Sequence, residues 1–269
     1  MKIIDAWMQH PTPTHLSRPY FASLWRWMKA EPPKEIPLEL TLTSMDAASV
    51  DVGLLSAWWG PEGPLIPNDF VAEIMEKHPG RFHGVASVDL HRPMDAVREL
   101  RRCVEGMGFK ALRMIQWLWE EPPTHRLYYP LFAECVHLGI PVCLQVGHTG
   151  PLKPSETGRP IPYIDQIALD FPELSIVCGH IGYPWTTEMI AVATKHENVC
   201  IDTSAYTAKR YPAELVEYMK HHGKHKVLFG TNYPMIPHAQ CLKDLSSLGL
   251  DDDVRDLFLA GNAARVFKL

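Results

Sequence analysis

Short apolar runs alternate with helix-like stretches along almost the whole sequence, and this alternation constrains the fold more than any other feature. The runs are rich in Val, Ile, Leu and Cys, which is typical of strands buried on both faces of a parallel sheet. Eight strand–helix units in a chain of 269 residues predict an α/β fold, a single (β/α)8 barrel domain over residues 1–269. A doubly wound open sheet is the alternative. The predicted strands are Ile3–Ala6, Val52–Ala57, Phe82–Val88, Lys110–Ile115, Val142–Gly147, Ile176–Gly179, Val199–Thr203 and Val227–Thr231.

The composition favours a globular protein that acts on a small molecule. Hydrophobic residues make up 46% of the chain, and the formal net charge is -5. Basic residues are scattered among acidic ones, so we expect no nucleic-acid partner. No apolar run approaches the ~18 residues of a membrane span, no leader-like segment follows the first residues, and the cysteines form no CxxC pair. We therefore expect a cytoplasmic protein with reduced thiols, a small-molecule substrate and no membrane partner.

Polar and aromatic side chains stand at or just after the ends of the predicted strands. These ends share one mouth in a parallel barrel, so we expect the side chains to converge on one site. His148 and His180 follow neighbouring strands and are candidate catalytic residues. Arg113 either holds a substrate carboxylate through two parallel hydrogen bonds or pairs with Asp202. The candidate substrate-binding residues are Trp7, Gln9, Trp58, Arg113, Asp202 and Asn232.

A long segment rich in Pro and Thr follows the first predicted strand and extends to about Pro37. We expect this segment to form a lid or a subunit contact, because long loops that carry aromatic residues are commonly functional. Clustered exposed aromatic residues usually mark an interface or a pocket rim, and here they favour a homodimer. The aromatic residues concerned are Tyr20, Phe21, Trp25 and Trp27 in this segment, and Trp117 and Trp119 after the fourth strand.

Several short motifs occur in a characteristic order along nearly the whole chain. They include Ile4-Asp5, Met45-Asp46-Ala47, Pro79-Gly80-Arg81-Phe82, Gly108-Phe109-Lys110, His148-Thr149-Gly150, Gly179-His180-Ile181-Gly182, Asp202-Thr203-Ser204, Gly230-Thr231-Asn232-Tyr233-Pro234 and Gly261-Asn262-Ala263. In these motifs the chain resembles the amidohydrolase-related metal-dependent hydrolases, a family that includes aminocarboxymuconate-semialdehyde decarboxylase and resorcylate-type decarboxylases. The resemblance implies a (β/α)8 barrel with one divalent metal, commonly zinc, that activates water or a substrate oxygen at the strand carboxyl ends.

The chain departs from the family pattern at three ligand positions. Trp7 and Gln9 stand where the family has two histidines, and Asn232 stands where the family has an aspartate. The resemblance implies that His148 matches a metal ligand and that His180 matches a histidine that serves as acid–base group or ligand. Zinc sites are built from imidazole, thiolate and carboxylate, so we expect no tightly bound cofactor. His148 and His180 are the expected ligands if zinc binds at all.

Three functional hypotheses follow from these observations. The first and preferred one is hydrolysis of a C–N or C–O bond in a small carboxylated or aromatic substrate, with His180 as general base toward water. The second is non-oxidative decarboxylation, in which Arg113 holds the carboxylate and His180 protonates the carbanion left behind. The third is a metal-free binding barrel without catalysis.

Overall fold

Strands arranged in chain order form the centre of the protein, whose computed structural model describes residues 2–269. The strands are β1 (Ile4–Met8), β2 (Val52–Ser56), β3 (Trp58–Gly60), β4 (Gly63–Ile66), β5 (Phe82–Ala86), β6 (Ala111–Met114), β7 (Val142–Gln145), β8 (Ile176–Gly179), β9 (Val199–Asp202) and β10 (Val227–Leu228). β3 and β4 form an antiparallel hairpin, and the other eight form one sheet of parallel pairs. The predicted eight-stranded parallel arrangement is confirmed. The doubly wound alternative is wrong. In a doubly wound sheet the strand order reverses partway along the chain, whereas here the eight strands follow one another in chain order.

The first and last strands nearly close the sheet into a barrel. The Ala6 N–H donates to the Phe229 carbonyl at 2.9 Å, and the Asn232 N–H donates to the Trp7 carbonyl at 2.7 Å. A parallel bridge also joins Met8 to residue 233. All eight strands therefore present their carboxyl ends at one mouth.

Helices follow most strands and cover the outside of the barrel. They are α1 (Pro13–Leu16), α2 (Ala22–Met28), α3 (Leu38–Ala47), α4 (Asn68–Lys77), α5 (Pro93–Arg101), α6 (Gln116–Trp119), α7 (Tyr129–Leu138), α8 (Asp165–Asp170), α9 (Thr186–Lys195), α10 (Ala213–Lys220), α11 (His238–Leu242), α12 (Asp252–Asp256) and α13 (Asn262–Phe267). No helix among residues 2–269 is long and apolar enough to cross a membrane.

The barrel strands are buried on both faces, which explains why their sequences are almost continuously apolar. On β6, Ala111 belongs to the core inside the barrel and Leu112 to the core beneath the helices. Residues two apart on a strand share a face, so Arg113 follows Ala111 toward the barrel interior. A polar residue at a strand's end therefore lies at the top of the interior core, next to the mouth.

Two glycines make room for large side chains in the top layer of the barrel. A Cβ atom at Gly179 would lie 2.6 Å from the Trp7 indole, and one at Gly230 would lie 2.3 Å from the Asp202 carboxylate. Neither distance is tolerable for real atoms. The absence of a side chain at Gly179 therefore leaves room for the Trp7 indole, and its absence at Gly230 leaves room for the Asp202 carboxylate. Both groups lie directly below the mouth.

The segment between β1 and α3 differs most from the sequence prediction. It was predicted to be irregular, yet it contains α1, a 3₁₀ turn at Pro19–Phe21 and α2. Prolines in the first turn start two of these short helices, a position where proline is favoured. The Ser23 hydroxyl donates to the Gly150 carbonyl at 2.6 Å, which ties α2 to the loop after β7.

The β3–β4 hairpin and the end of the last strand also differ from prediction. The predicted second strand, Val52–Ala57, ends at Ser56, and Trp58–Gly60 after it forms one arm of the hairpin. The last strand ends at Leu228 and not at Thr231. There the Thr231 N–H donates at 3.0 Å to the Asp5 side chain and not to a neighbouring strand.

Candidate functional site

A cavity of about 570 Å³ opens at the carboxyl ends of the barrel strands. It is bounded by residues that follow β1, β7, β8 and β10, by the β3–β4 hairpin and by the α1–α2 segment. The predicted site residues occupy two levels. Gln9, Trp58, His148, His180 and Asn232 line the cavity. Trp7, Arg113 and Asp202 do not line it and are almost fully buried below.

Aromatic side chains form much of the cavity wall. The Trp58 ring lies 6.0 Å from Trp117 and 6.2 Å from Phe21, between ring centroids, and all three line the cavity. Trp117 and Trp119 are 1% and 7% exposed, so the expectation that they are exposed is wrong. Trp27 on α2 is 53% exposed and lies at the rim. The wall therefore suits a flat aromatic ligand.

Arg113 is the most unusual charged residue of the site. Its guanidinium carbon lies 4.1 Å from the Trp7 ring centroid and 5.0 Å from that of Trp58. Its Nη1 donates to the Gln9 Oε1 at 3.4 Å, whereas its Nε and Nη2 have no partner among residues 2–269. Burial lowers the pKa of Arg113 to about 9. The side chain remains cationic at neutral pH and has two free donors next to the cavity floor.

The alternative role for Arg113, an ion pair with Asp202, is not formed. Within the described chain no carboxylate lies within 4.0 Å of the guanidinium, since the Asp202 Oδ1 instead accepts from the Ser204 N–H at 2.9 Å and its Oδ2 has no partner. Burial raises the pKa of Asp202 to about 7, and the charge of Asp5 acts in the same direction. Arg113 opposes this shift only in part. Both groups are thus buried without a direct counter-ion.

The two candidate catalytic histidines both line the cavity. His180 follows β8 at a φ of 73°, a left-handed conformation that is uncommon for residues with a side chain. The Trp7 indole contacts it edge-on at 5.6 Å between centroids. Burial and then the charge of Arg113 hold the pKa of His180 well below its usual value. Burial also lowers the pKa of His148, so both imidazoles are neutral at neutral pH.

Gln9 and Asn232 are joined across the seam of the barrel. The Gln9 Nε2 donates to the Tyr233 carbonyl at 2.6 Å and to the Asn232 Oδ1 at 3.2 Å. The Gln9 Oε1 in turn accepts from Arg113. These amides are therefore engaged with one another and with the backbone.

This set of donors does not fit a divalent metal. Residues 2–269 contain no group of three or more His, Cys, Asp or Glu side chains placed to hold one. An indole and two amides stand at the ligand positions implied by the family, and neither type competes with imidazole or carboxylate for zinc. The Arg113 cation, in contact with Gln9, would also repel a second cation.

Two further cavity residues were not identified from the sequence. His15 on α1 lies 4.7 Å from both Phe21 and Trp58, between centroids, and neither ring nitrogen has a partner. Nothing in the sequence marks it, because its segment has no regular periodicity. Gln145 ends β7 two residues after Cys143, so strand alternation could have identified it as inward-facing. Its Oε1 accepts from the Trp117 indole N–H at 2.8 Å.

Known proteins resemble this chain in sequence. Residues 7–269 match the family model described as amidohydrolase. Gamma-resorcylate decarboxylase of Polaromonas sp. is 28% identical over 251 residues, which cover 75% of each chain.

Solved structures give the same fold. A TIM-barrel protein of Bordetella bronchiseptica is 26% identical, with a TM-score of 0.86 over 100% of this chain and 99% of the other. A dihydroxybenzoic acid decarboxylase of Polaromonas sp., solved with bound manganese and the inhibitor 2-nitroresorcinol, is 19% identical. Its TM-score is 0.73 over 100% of this chain and 97% of the other. Related decarboxylases thus hold a divalent metal and small aromatic ligands.

The preferred hypothesis of hydrolysis is wrong, because the curated relatives include gamma-resorcylate decarboxylases and an aminocarboxymuconate-semialdehyde decarboxylase, which point to loss of a carboxyl group. Within the described residues no carboxylate contacts His180, and its Nε2 has no hydrogen-bond partner.

The sequence match extends from the end of the first barrel strand to the last residue, and the fold match covers the entire chain. Both agree with the strand order and with the position of the mouth. The chain belongs to the amidohydrolase family and is an enzyme of the amidohydrolase superfamily.

Proposed function

We propose that the protein is a non-oxidative decarboxylase of small aromatic carboxylates. The observation that carries this proposal is Arg113, a cation 2% exposed, with no counter-ion in the described chain and with two free donors next to an aromatic cavity. Burying an unpaired charge costs several kcal/mol, so a fold retains one most readily where a ligand supplies the missing partner. A carboxylate is the ligand that a guanidinium holds best.

The bound carboxylate would lie at the cavity floor, with its aromatic ring between the indole walls. Decarboxylation breaks the bond between the ring carbon and the carboxyl carbon, CO2 leaves, and the electron pair stays on the ring carbon. A proton must then reach that carbon. His180 lines the cavity near Arg113 and is the group we assign to donate it.

His180 is neutral in the free protein, so it must gain a proton when substrate binds. The charge of Arg113 is one of the causes that lower its pKa. A substrate carboxylate on Arg113 would cancel that charge, and the pKa of His180 would rise. We therefore propose that His180 takes up a proton from water as substrate binds and passes it to the ring carbon. His148, which also lines the cavity, completes this side of the site.

The remaining site residues position the substrate in this proposal. Trp7 and Trp58 hold the guanidinium between their faces, and Gln9 orients it through the Oε1 contact. Asn232 in turn orients Gln9. Because the donor set does not fit a divalent metal, we propose that the reaction does not depend on a tightly bound one. The manganese of the related decarboxylase belongs to that protein.

Release of labelled CO2 tests the proposal. Chelator-treated protein is mixed with carboxyl-labelled hydroxybenzoates, including 2,6-dihydroxybenzoate, the ligand of another decarboxylase of this fold. We expect CO2 release without added metal, and a loss of about 100- to 1,000-fold in Arg113→Met. Arg81→Met is the matched control, because Arg81 pairs with Asp46 at the surface. Release that is equal in Arg113→Met and wild type, or that appears only with added metal, contradicts the proposal.

A further inference from the structure

We propose that His15 is a specificity-determining residue that hydrogen-bonds an uncharged polar substituent, such as a hydroxyl, on the ring of the bound ligand. The identity of the ring rests on the proposed function above. The role of His15 itself requires only binding and no turnover.

The first observation is that His15 is polar, buried and unsatisfied. The residue is 8% exposed, yet it lines the cavity. Neither its Nδ1 nor its Nε2 has a hydrogen-bond partner within residues 2–269. Buried polar groups in native proteins are almost always paired, so we assign the missing partner of these two ring nitrogens to a ligand that enters the cavity.

The second observation is that the imidazole is held in place. The backbone N–H of His15 donates to the Thr12 hydroxyl at 3.2 Å, and this hydrogen bond caps the start of α1. The ring contacts Phe21 at 4.7 Å and Trp58 edge-on at 4.7 Å, between centroids. A polar group fixed between two aromatic rings can distinguish ligands by hydrogen bonding, because it cannot swing away to water.

The third observation concerns charge. Burial, followed by the charges of Arg113 and Arg18, lowers the pKa of His15 to about 3, so its ring is neutral. A neutral imidazole has one donor and one acceptor, as a hydroxyl does. His15 is therefore matched to an uncharged group, whereas Arg113 is matched to a carboxylate. The two residues also share a neighbour, since both contact the Trp58 ring.

Calorimetric titrations with small probes separate the two roles. The probes are phenol, which has only the hydroxyl, benzoate, which has only the carboxylate, and the three monohydroxybenzoates, which have both. The proteins are wild type, His15→Phe, His15→Gln and Arg113→Met. His78→Phe is the matched control, because His78 precedes β5 at the opposite end of the barrel. Thermal unfolding verifies that each variant is folded.

We expect His15→Phe to weaken phenol and at least one hydroxybenzoate about tenfold and to change benzoate less than twofold, because one buried group loses its partner. His15→Gln, which keeps a donor and an acceptor, should restore part of that loss. Arg113→Met should show the reverse pattern, weakening benzoate and leaving phenol unchanged. If His15→Phe affects benzoate as much as every hydroxylated probe, or affects none, the inference is wrong. If only the Arg113 pattern is missing, the proposed function is wrong and the role of His15 stands. Wild type that binds neither phenol nor benzoate contradicts both.

Discussion

Two buried polar clusters at the mouth of the barrel differ in how their groups are paired. The closure cluster, Asp5, Thr231, His238 and Ser44, lies where the first and last strands meet. The Asp5 carboxylate accepts from the N–H and the hydroxyl of Thr231, at 3.0 and 2.5 Å. His238 Nδ1 lies 2.8 Å from the Ser44 hydroxyl, and its Nε2 lies 3.2 Å from Asp5 Oδ2, outside good hydrogen-bond geometry. Every side chain of this cluster therefore has at least one partner.

The cavity cluster, Arg113, His15 and His180, is about as well buried. It has five unpaired buried polar atoms within residues 2–269, whereas the closure cluster has one, His238 Nε2. Burial alone therefore does not distinguish the two clusters, whereas the number of unpaired atoms does. Satisfied polar groups hold the barrel closed, and unsatisfied ones next to a cavity reduce stability until a ligand completes them. We expect this difference to separate structural from functional residues.

We expect the largest effect from Arg113→Met, in the cavity cluster. Activity should fall about 100- to 1,000-fold, while stability should rise by about 1–4 kcal/mol, because an uncompensated buried charge is replaced by an apolar side chain of similar length. Urea unfolding of the ligand-free protein measures the second effect. A variant that is less stable than wild type would show that the Gln9, Trp7 and Trp58 contacts compensate the buried charge in the ligand-free protein.

At the closure cluster we expect a substitution to lower stability and not to raise it. Asp5→Ala removes the acceptor for Thr231 and for the backbone N–H of Trp7, which lies 3.0 Å from the Asp5 Oδ1. The loss should be about 3–5 kcal/mol, because buried donors are left unpaired. Urea unfolding again measures it, with Asp46→Ala on the surface as control. A loss below about 1 kcal/mol would mean that closure does not depend on this carboxylate.

The pH dependence of stability tests the buried environment of Asp202. Its folded pKa of about 7 lies above the usual value, so the folded protein binds more protons than the unfolded chain between about pH 4 and pH 7. Stability from this group is therefore present at low pH and is lost as pH rises toward 7. Asp202→Asn should thus stabilise the protein by about 2 kcal/mol more at pH 8 than at pH 5. An equal effect at both pH values would contradict the raised pKa.

The smallest effect that we expect is on the zinc content of a triple variant. Combining Trp7→His, Gln9→His and Asn232→Asp restores the three donors that the family pattern implies, so zinc content should rise above that of wild type. The rise should be partial, because Arg113 remains next to residue 9. Elemental analysis after dialysis against a chelator measures it. A full equivalent in unmodified protein, held by His148 and His180, would overturn the metal-independent proposal.

The sequence predicted the barrel because burial on both strand faces leaves a continuous apolar run that few other arrangements produce. It predicted the position of the site for a related reason, since polar residues such as His180 interrupt those runs where a strand ends. It could not predict that Arg113 and Asp202 remain unpaired, because pairing depends on side-chain geometry that strand order leaves open. His15 was missed because α1 is one turn long and has no periodicity to detect.

The most direct test of the central claim is a crystal structure of the protein with 2,6-dihydroxybenzoate bound. We expect the ring of the ligand to lie between the aromatic walls. Both of its carboxylate oxygens should lie within hydrogen-bond distance, about 2.7–2.9 Å, of the free nitrogens of Arg113. Arg210 lines the cavity too and is exposed, so it offers an alternative anion site. A carboxylate held by Arg210, with the guanidinium of Arg113 still unpartnered below the floor, would contradict the account.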